Sequence, residues 1–174
     1  KIKVIHNKVS HAAILRQAEE PVELPSDKLA EGHTFVTVGR LVEEKGIWEA
    51  LEACRILVER GMQFRWYWIG DGPEMKSLKK RVIEYGLEDS FHLLGEKANP
   101  YPYMKNSSVY VQPSRTEAHC VAVEEALVLE CPIVVTDIPA FRGQLKNKQT
   151  GMIAEKGLTG LADAIEQLCT SGEL

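Results

Sequence analysis

From residue 33 onward, short apolar runs alternate with longer stretches in which apolar positions recur every three or four residues. This alternation predicts repeated βα units around a parallel sheet. Residues 34–38 read as the first strand, 44–60 as a helix stopped by Gly61, and 64–69 as the second strand. A helix over 73–85 follows; Pro73 suits its first turn and Gly86 ends it. The pattern continues with a strand at 90–94, a short helix at 102–106, a strand at 109–112, a helix at 120–129 and a strand at 132–136. The tail is less regular, with a helix expected at 139–145, an extended piece at 151–154 and a closing helix at 157–168. The expected fold is therefore α/β, a Rossmann-like parallel sheet of about six strands with helices on both faces. Residues 1–32 break the pattern: Pro21, Pro25 and many charges surround one weak amphipathic stretch at 12–19. They read as a linker or docking arm ahead of a single domain spanning 33–174.

Composition narrows this picture only by exclusion. The 174 residues suffice for one domain with a sizeable core. A 44% hydrophobic and 26% charged content is ordinary for a soluble globular chain, and a net charge of -4 gives no general pull toward nucleic acid or an anionic membrane. Cys54, Cys120, Cys131 and Cys169 follow no CxxC or Cys/His spacing, so neither a zinc site nor a disulfide framework is suggested, and reduced thiols in a cytosolic compartment are expected. No apolar run reaches the ~18 residues of a membrane span, and the start lacks a signal-peptide pattern. A chain beginning at Lys1 fits either a processed protein or an excised domain.

In an open sheet of this kind ligands sit beyond the carboxyl ends of the strands, so the residues just after each strand are the candidates for chemistry. After the first strand, Gly39 and Arg40 lead to Lys45 and Gly46. Two cations before a helix amino terminus can grip a phosphate; beside Glu43 and Glu44 they can equally be solvated charges. After the second strand, Gly70-Asp71-Gly72-Pro73 permits a tight turn or close approach to a ligand. It resembles a dinucleotide fingerprint only superficially, because the third glycine position is Met75. After the third, Leu93-Leu94-Gly95 can present backbone polar groups to a flat ring.

The stretch after the fourth strand is the most informative. Glu117 lies in the turn before a helix, and Glu125 lies inside 121–129, apolar on nearly every face and so expected to be buried. Glu124 and Glu125, about 100° apart, are not expected to share one solvent window. A buried carboxylate needs partners. A ribose supplies suitable hydroxyls; a neighbouring backbone or a core cation would serve as well.

Glu117 and Glu125 form the E-x7-E pattern, and with it the chain resembles the C-terminal, donor-binding domain of retaining GT-B glycosyltransferases of the family 4 type (glycosyl transferases group 1). The likeness is carried in order by Val38-Gly39-Arg40 with Lys45-Gly46, Trp68 to Pro73, Leu94-Gly95, Gln112-Pro113-Ser114, Pro132 to Asp137, and Thr150-Gly151. Val4-Ile5-His6-Asn7 is similar to the interdomain connection of such enzymes, so an acceptor-binding N-terminal domain is expected to precede this half of a GT-B fold.

The resemblance implies a nucleotide sugar as partner, linked to UDP or GDP, with no cofactor and no metal required. It assigns Arg40 and Lys45 to the leaving diphosphate, Glu117 to the transferred sugar and Glu125 to the ribose. Leu93 and Leu94 flank the base. Gly39, Gly70, Asp71 and Ala118 complete the donor site, and backbone amides at His119, Cys120 and Val121 approach phosphate. Any peripheral membrane contact would fall to the missing domain, and no nucleic acid is expected. Three positions depart from the family pattern: Ala118 stands for the usual Gly, His119 for a frequent Phe, and Glu130 for a Gly, each expected to add bulk or polarity near the site. Gln144 stands where a Glu is usual and is assigned no sugar contact. Two other readings stay open at this level: an NAD-binding Rossmann domain, and a non-catalytic nucleotide-sugar-binding module.

Overall fold

The computed structural model describes residues 10–22 and 32–171. Its elements are α1 His11–Gln17, β1 His33–Val38, a 3-10 turn Glu43–Lys45, α2 Ile47–Glu59, β2 Phe64–Ile69, α3 Met75–Glu84 and β3 Phe91–Gly95. They continue with α4 Tyr101–Lys105, β4 Val109–Gln112, α5 Val121–Val128, β5 Ile133–Val135, α6 Pro139–Gln144, β6 Met152–Ile153 and α7 Gly160–Ser171. The six strands form one parallel sheet in the order β3-β2-β1-β4-β5-β6. The fold is α/β and Rossmann-like, as the alternation predicts.

A parallel sheet must be covered on both faces, and side chains alternate between them. Phe35, Trp66, Trp68, Val109 and Val111 pack beneath α2, α3 and α7, whereas Val36, Tyr67, Ile69, Tyr110, Ile133 and Val135 pack beneath α1, α4, α5 and α6. The aromatic strand β2 lies one place in from the sheet edge, with both of its tryptophans fully buried. Thr37 is equally buried, and its hydroxyl is satisfied twice: it donates to Val111 O at 2.7 Å and accepts the Trp66 indole N–H at 3.0 Å.

Two expectations are corrected. The first concerns the helix predicted over 44–60, which is a 3-10 turn followed by α2, broken at Gly46 with φ 73°. The left-handed conformation interrupts the helix there, and a Cβ at Gly46 would lie 1.8 Å from Pro113 O. The second concerns α5, which is not buried all round. Within it only Val123 and Ala126 are buried, because a single helical layer covers the sheet and the outer side of the helix has no layer above it. Predicted ends of the other elements differ by a few residues, as terminal turns do.

Within residues 10–22 the expected linker or docking arm holds α1, whose Ile14 and following Ala18 join the core under α4 and α5. Asn99 Nδ2 donates to Gln17 O at 2.8 Å and to Glu20 Oε2 at 2.9 Å, and Lys105 pairs with Glu19. This part is therefore docked structure. The remainder of the expected linker, including Val4-Ile5-His6-Asn7, lies outside the described residues.

Candidate functional site

The strand order places β1 beside β4, and from that pair the chain winds outward in opposite directions. Such a switch point opens a crevice at the carboxyl ends of the two strands. The loops that flank it, 39–46 and 113–120, are those that carry the charged residues singled out above. Lys45 Nζ and Glu117 Oε1 meet across it at 2.6 Å, with side chains 26% and 10% exposed. Gly39 sits beside them: a Cβ there would lie 3.6 Å from Lys45 Cδ and 4.0 Å from Gln112 Nε2. Arg40 is exposed, and its guanidinium makes no hydrogen bond or ion pair among the described residues. Glu43 does not neutralise it, because Glu43 and Glu49 both pair with Arg115.

Glu117 is held from below by a chain of buried polar groups. The Tyr110 hydroxyl donates to Gln112 Oε1 at 2.6 Å, Gln112 Nε2 donates to Ser114 Oγ at 2.9 Å, and Ser114 Oγ donates to Glu117 Oε1 at 2.8 Å. Gln112 and Ser114 are fully buried. Their direction follows from donor and acceptor types: once the phenol has given its proton to the amide oxygen, the amide nitrogen can only donate onward. One carboxylate oxygen thus accepts from both Ser114 and Lys45, which anchors that oxygen of Glu117.

At the amino end of α5 the expected phosphate amides are partly committed. Cys120 N–H donates to Gln144 Oε1 at 3.1 Å, and Gln144 Nε2 donates back to Cys120 O at 2.9 Å. The Cys120 thiol lies against the amides of Val123 and Ala122; burial dominates and pushes its pKa up to about 11. Val121 N–H makes no hydrogen bond among the described residues. His119 Nε2 lies 2.9 Å from Glu124 Oε1, and Ala118 is exposed in the turn.

Glu125 is half-buried and faces neither a core cation nor a backbone group. Tyr101 OH donates to its Oε1 at 2.8 Å. Burial raises the Glu125 pKa above the usual carboxylate range, the Tyr101 hydrogen bond pulls it back, and the charge of Glu124 raises it again.

Other expected donor residues also make contacts within the scaffold. Gly70 (φ 142°) and Gly72 pack against the loop after β1: a Cβ at Gly70 would lie 2.1 Å from Gly39 O, and one at Gly72 would lie 2.4 Å from Leu41 O. The glycines are thus explained by close approach of two backbones. The Asp71 carboxylate accepts Gly72 N–H at 2.6 Å, while Asp71 O accepts Leu41 N–H at 3.0 Å. Trp68 Nε1 donates to Gly39 O at 2.8 Å, fixing the same turn. Leu93 and Leu94 lie partly exposed, with side chains on opposite faces of the edge strand β3. Glu130 adds nothing near the site. It is exposed at the far end of α5, about 12 Å along an eight-residue helix, with φ 55°.

Sequence reasoning assigned no role to Tyr101, Tyr110, Ser114 or Gln144. One signal was available: Gln112, a lone amide closing an otherwise apolar strand, must find partners once buried. A cavity of about 480 Å³ shares Ser114 and Arg115 with the loop after β4 but is otherwise lined by residues such as Trp48, Asp137 and Leu158, and it excludes Lys45, Glu117 and Glu125. Among the described residues no cluster of His, Cys, Asp and Glu is placed to hold a metal ion, and no helix is long and apolar enough to cross a membrane.

Comparison with known proteins agrees with this architecture. The chain is 33% identical over 129 residues to the putative colanic acid biosynthesis glycosyltransferase WcaL of Escherichia coli, covering 70% of this chain and 31% of that protein. It is 28% identical over 165 residues to the capsular polysaccharide biosynthesis glycosyltransferase CapM of Staphylococcus aureus, covering 89% and 43%. This chain thus spans less than half the length of these relatives. Among solved structures, Anabaena Alr3699/HepE in complex with UDP and glucose superposes with a TM-score of 0.76 at 18% identity, covering 95% of this chain and 44% of that one. The C-terminal domain of the group 1 glycosyl transferase LpcC from Francisella tularensis gives 0.71 at 21%, covering 83% and 79%. Residues 24–174 match the family described as glycosyl transferases group 1, and the chain belongs to that family.

Proposed function

We propose that the chain is the donor-binding, C-terminal half of a retaining glycosyltransferase of the family 4 type, taking a UDP- or GDP-linked sugar for transfer to a glycan or lipid acceptor. The observation that carries this reading is the Lys45–Glu117 pair, held across the switch point by a buried polar chain. A rigid carboxylate beside an ammonium suits a ligand with sugar hydroxyls next to a diphosphate. Lys45 spends one of its three N–H donors on Glu117, leaving two for phosphate. The guanidinium of Arg40, without an ion-pair partner among the described residues, adds a second cation. In this reading the two cations stabilise the diphosphate as the glycosidic bond lengthens, which is electrostatic catalysis without need of a metal. Glu117 takes the transferred sugar and Glu125 the ribose, and front-face attack retains the anomeric configuration. That some relatives are named for polysaccharide biosynthesis, and that Alr3699/HepE was crystallised with UDP and glucose, supports this substrate class.

The same reading places the protein in the cytoplasm and makes this half inactive without an acceptor-binding domain. Titration calorimetry with UDP and GDP tests it. One of the two is expected to bind, about tenfold or more weakly after Arg40→Ala or Lys45→Ala. No binding of either nucleotide, or affinity indifferent to both substitutions, would sink the proposal.

A further inference from the structure

Tyr101 opens α4, and Glu125 lies on α5 across from it. The tyrosine is braced from behind: its N–H donates to Asn99 Oδ1 at 3.2 Å, and the Asn99 amide is tied to the end of α1 through Gln17 O and Glu20. Its ring packs on the core beneath α4 and α5. From that brace its hydroxyl gives its only proton to Glu125 Oε1 at 2.8 Å. Glu125 Oε2 makes no hydrogen bond among the described residues.

The proton inventory of this pair decides what it can bind. Burial and the neighbouring carboxylate push the phenol pKa up to about 12, so it remains a hydroxyl at neutral pH. Having donated to Oε1, the phenol oxygen is left with lone pairs alone. An ionised carboxylate also has only lone pairs. The pair therefore presents only acceptors, namely Glu125 Oε2, the remaining lone pair of Oε1 and the phenol oxygen, and its complement is a ligand that brings O–H groups. A vicinal diol brings two adjacent donors to these acceptors, a single hydroxyl brings only one, and a phosphate oxygen is repelled.

We propose that Tyr101 is a positioning residue that holds Glu125 and joins it in reading the 2′,3′-diol of a ribonucleoside diphosphate, so that the site discriminates against 2′-deoxyribose. This rests on the donor-binding reading above. Tyr101→Phe keeps the ring and its packing but removes the hydroxyl.

The test is titration of wild type and Tyr101→Phe with the better-binding of UDP and GDP and with its 2′-deoxy counterpart, alongside the Tm of both proteins. Wild type is expected to prefer the ribonucleotide by about tenfold, the effect of one hydrogen bond to a charged group. Tyr101→Phe should narrow that ratio to about threefold or less, chiefly by losing ribonucleotide affinity. A merely structural role would weaken both nucleotides equally and leave the ratio as in wild type, which would overturn the inference. A wild-type protein that binds UDP or GDP without preferring ribose also overturns it, yet leaves the donor-binding reading standing. Binding of no nucleotide at all removes both.

Discussion

Glu125 shows how a single side chain joins stability to binding. Its pKa in the fold lies above the ordinary 4.5, with burial as the main cause. The folded protein thus holds this proton more tightly than the unfolded chain, and the contribution of Glu125 to stability falls as pH rises from about 4.5 through the raised value. Replacing it by Gln keeps an oxygen for the Tyr101 hydroxyl and removes the charge. Glu125→Gln is therefore expected to be slightly more stable than wild type at pH 7, by ~0.5 kcal/mol after allowance for solvent at this half-buried position, and to lose that pH slope. The same variant should bind nucleotide less well. Thermal melts from pH 4 to pH 8 with and without UDP check both halves; a variant less stable at every pH would mean that the carboxylate is a net structural stabiliser.

Within elements, backbone conformation rather than side-chain chemistry decides several positions. Gly46 has φ 73° and no room for a Cβ beside Pro113 O, whereas Gly61 has φ 77° with nothing within 4 Å. Gly46→Ala should cost about 3 kcal/mol or more, combining strain with overlap, while Gly61→Ala should cost about 1 kcal/mol from strain alone. Denaturant melts of the two variants compare them directly. Glu130 is the reverse case, a non-glycine at φ 55° just beyond α5. Glu130→Gly is expected to gain about 0.5–1 kcal/mol and to leave nucleotide affinity unchanged, since it lies at the end of the helix away from the site. A shift in affinity would show that the carboxyl end of α5 communicates with Glu125. These requirements were half legible: Gly61 and Gly86 read correctly as helix stops, but the break at Gly46 depends on a carbonyl 67 positions along the chain, at Pro113.

At the scale of the molecule, residues 10–22 of the arm belong to the fold. Ile14 is 2% exposed and anchors α1 on the layer that also carries Tyr101 and Glu125. Truncating it should loosen the arm while leaving the sheet intact. Ile14→Ala is expected to raise the rate of tryptic cleavage after Arg16 about tenfold or more, read by mass spectrometry, with a much smaller change in global Tm. An unchanged rate would show that the polar ties at Asn99 and Lys105 hold the arm without Ile14.

The sequence by itself determined the kinds and order of the elements and the loops in which chemistry resides, because periodicity, helix stops and turn glycines act over a few residues. It also marked Lys45, Glu117 and Glu125 as chemically important. Only the tertiary structure decided which side chains meet. Lys45 and Glu117 are 72 residues apart, Tyr101 and Glu125 are 24 apart, and both contacts come from the sheet order and the helical layer above it. Likewise, the spacing of Gly70 and Gly72 was visible, but only the neighbouring loop after β1 shows that backbone fills the space beside them. Contacts of that kind depend on where distant strands lie, which no local pattern encodes.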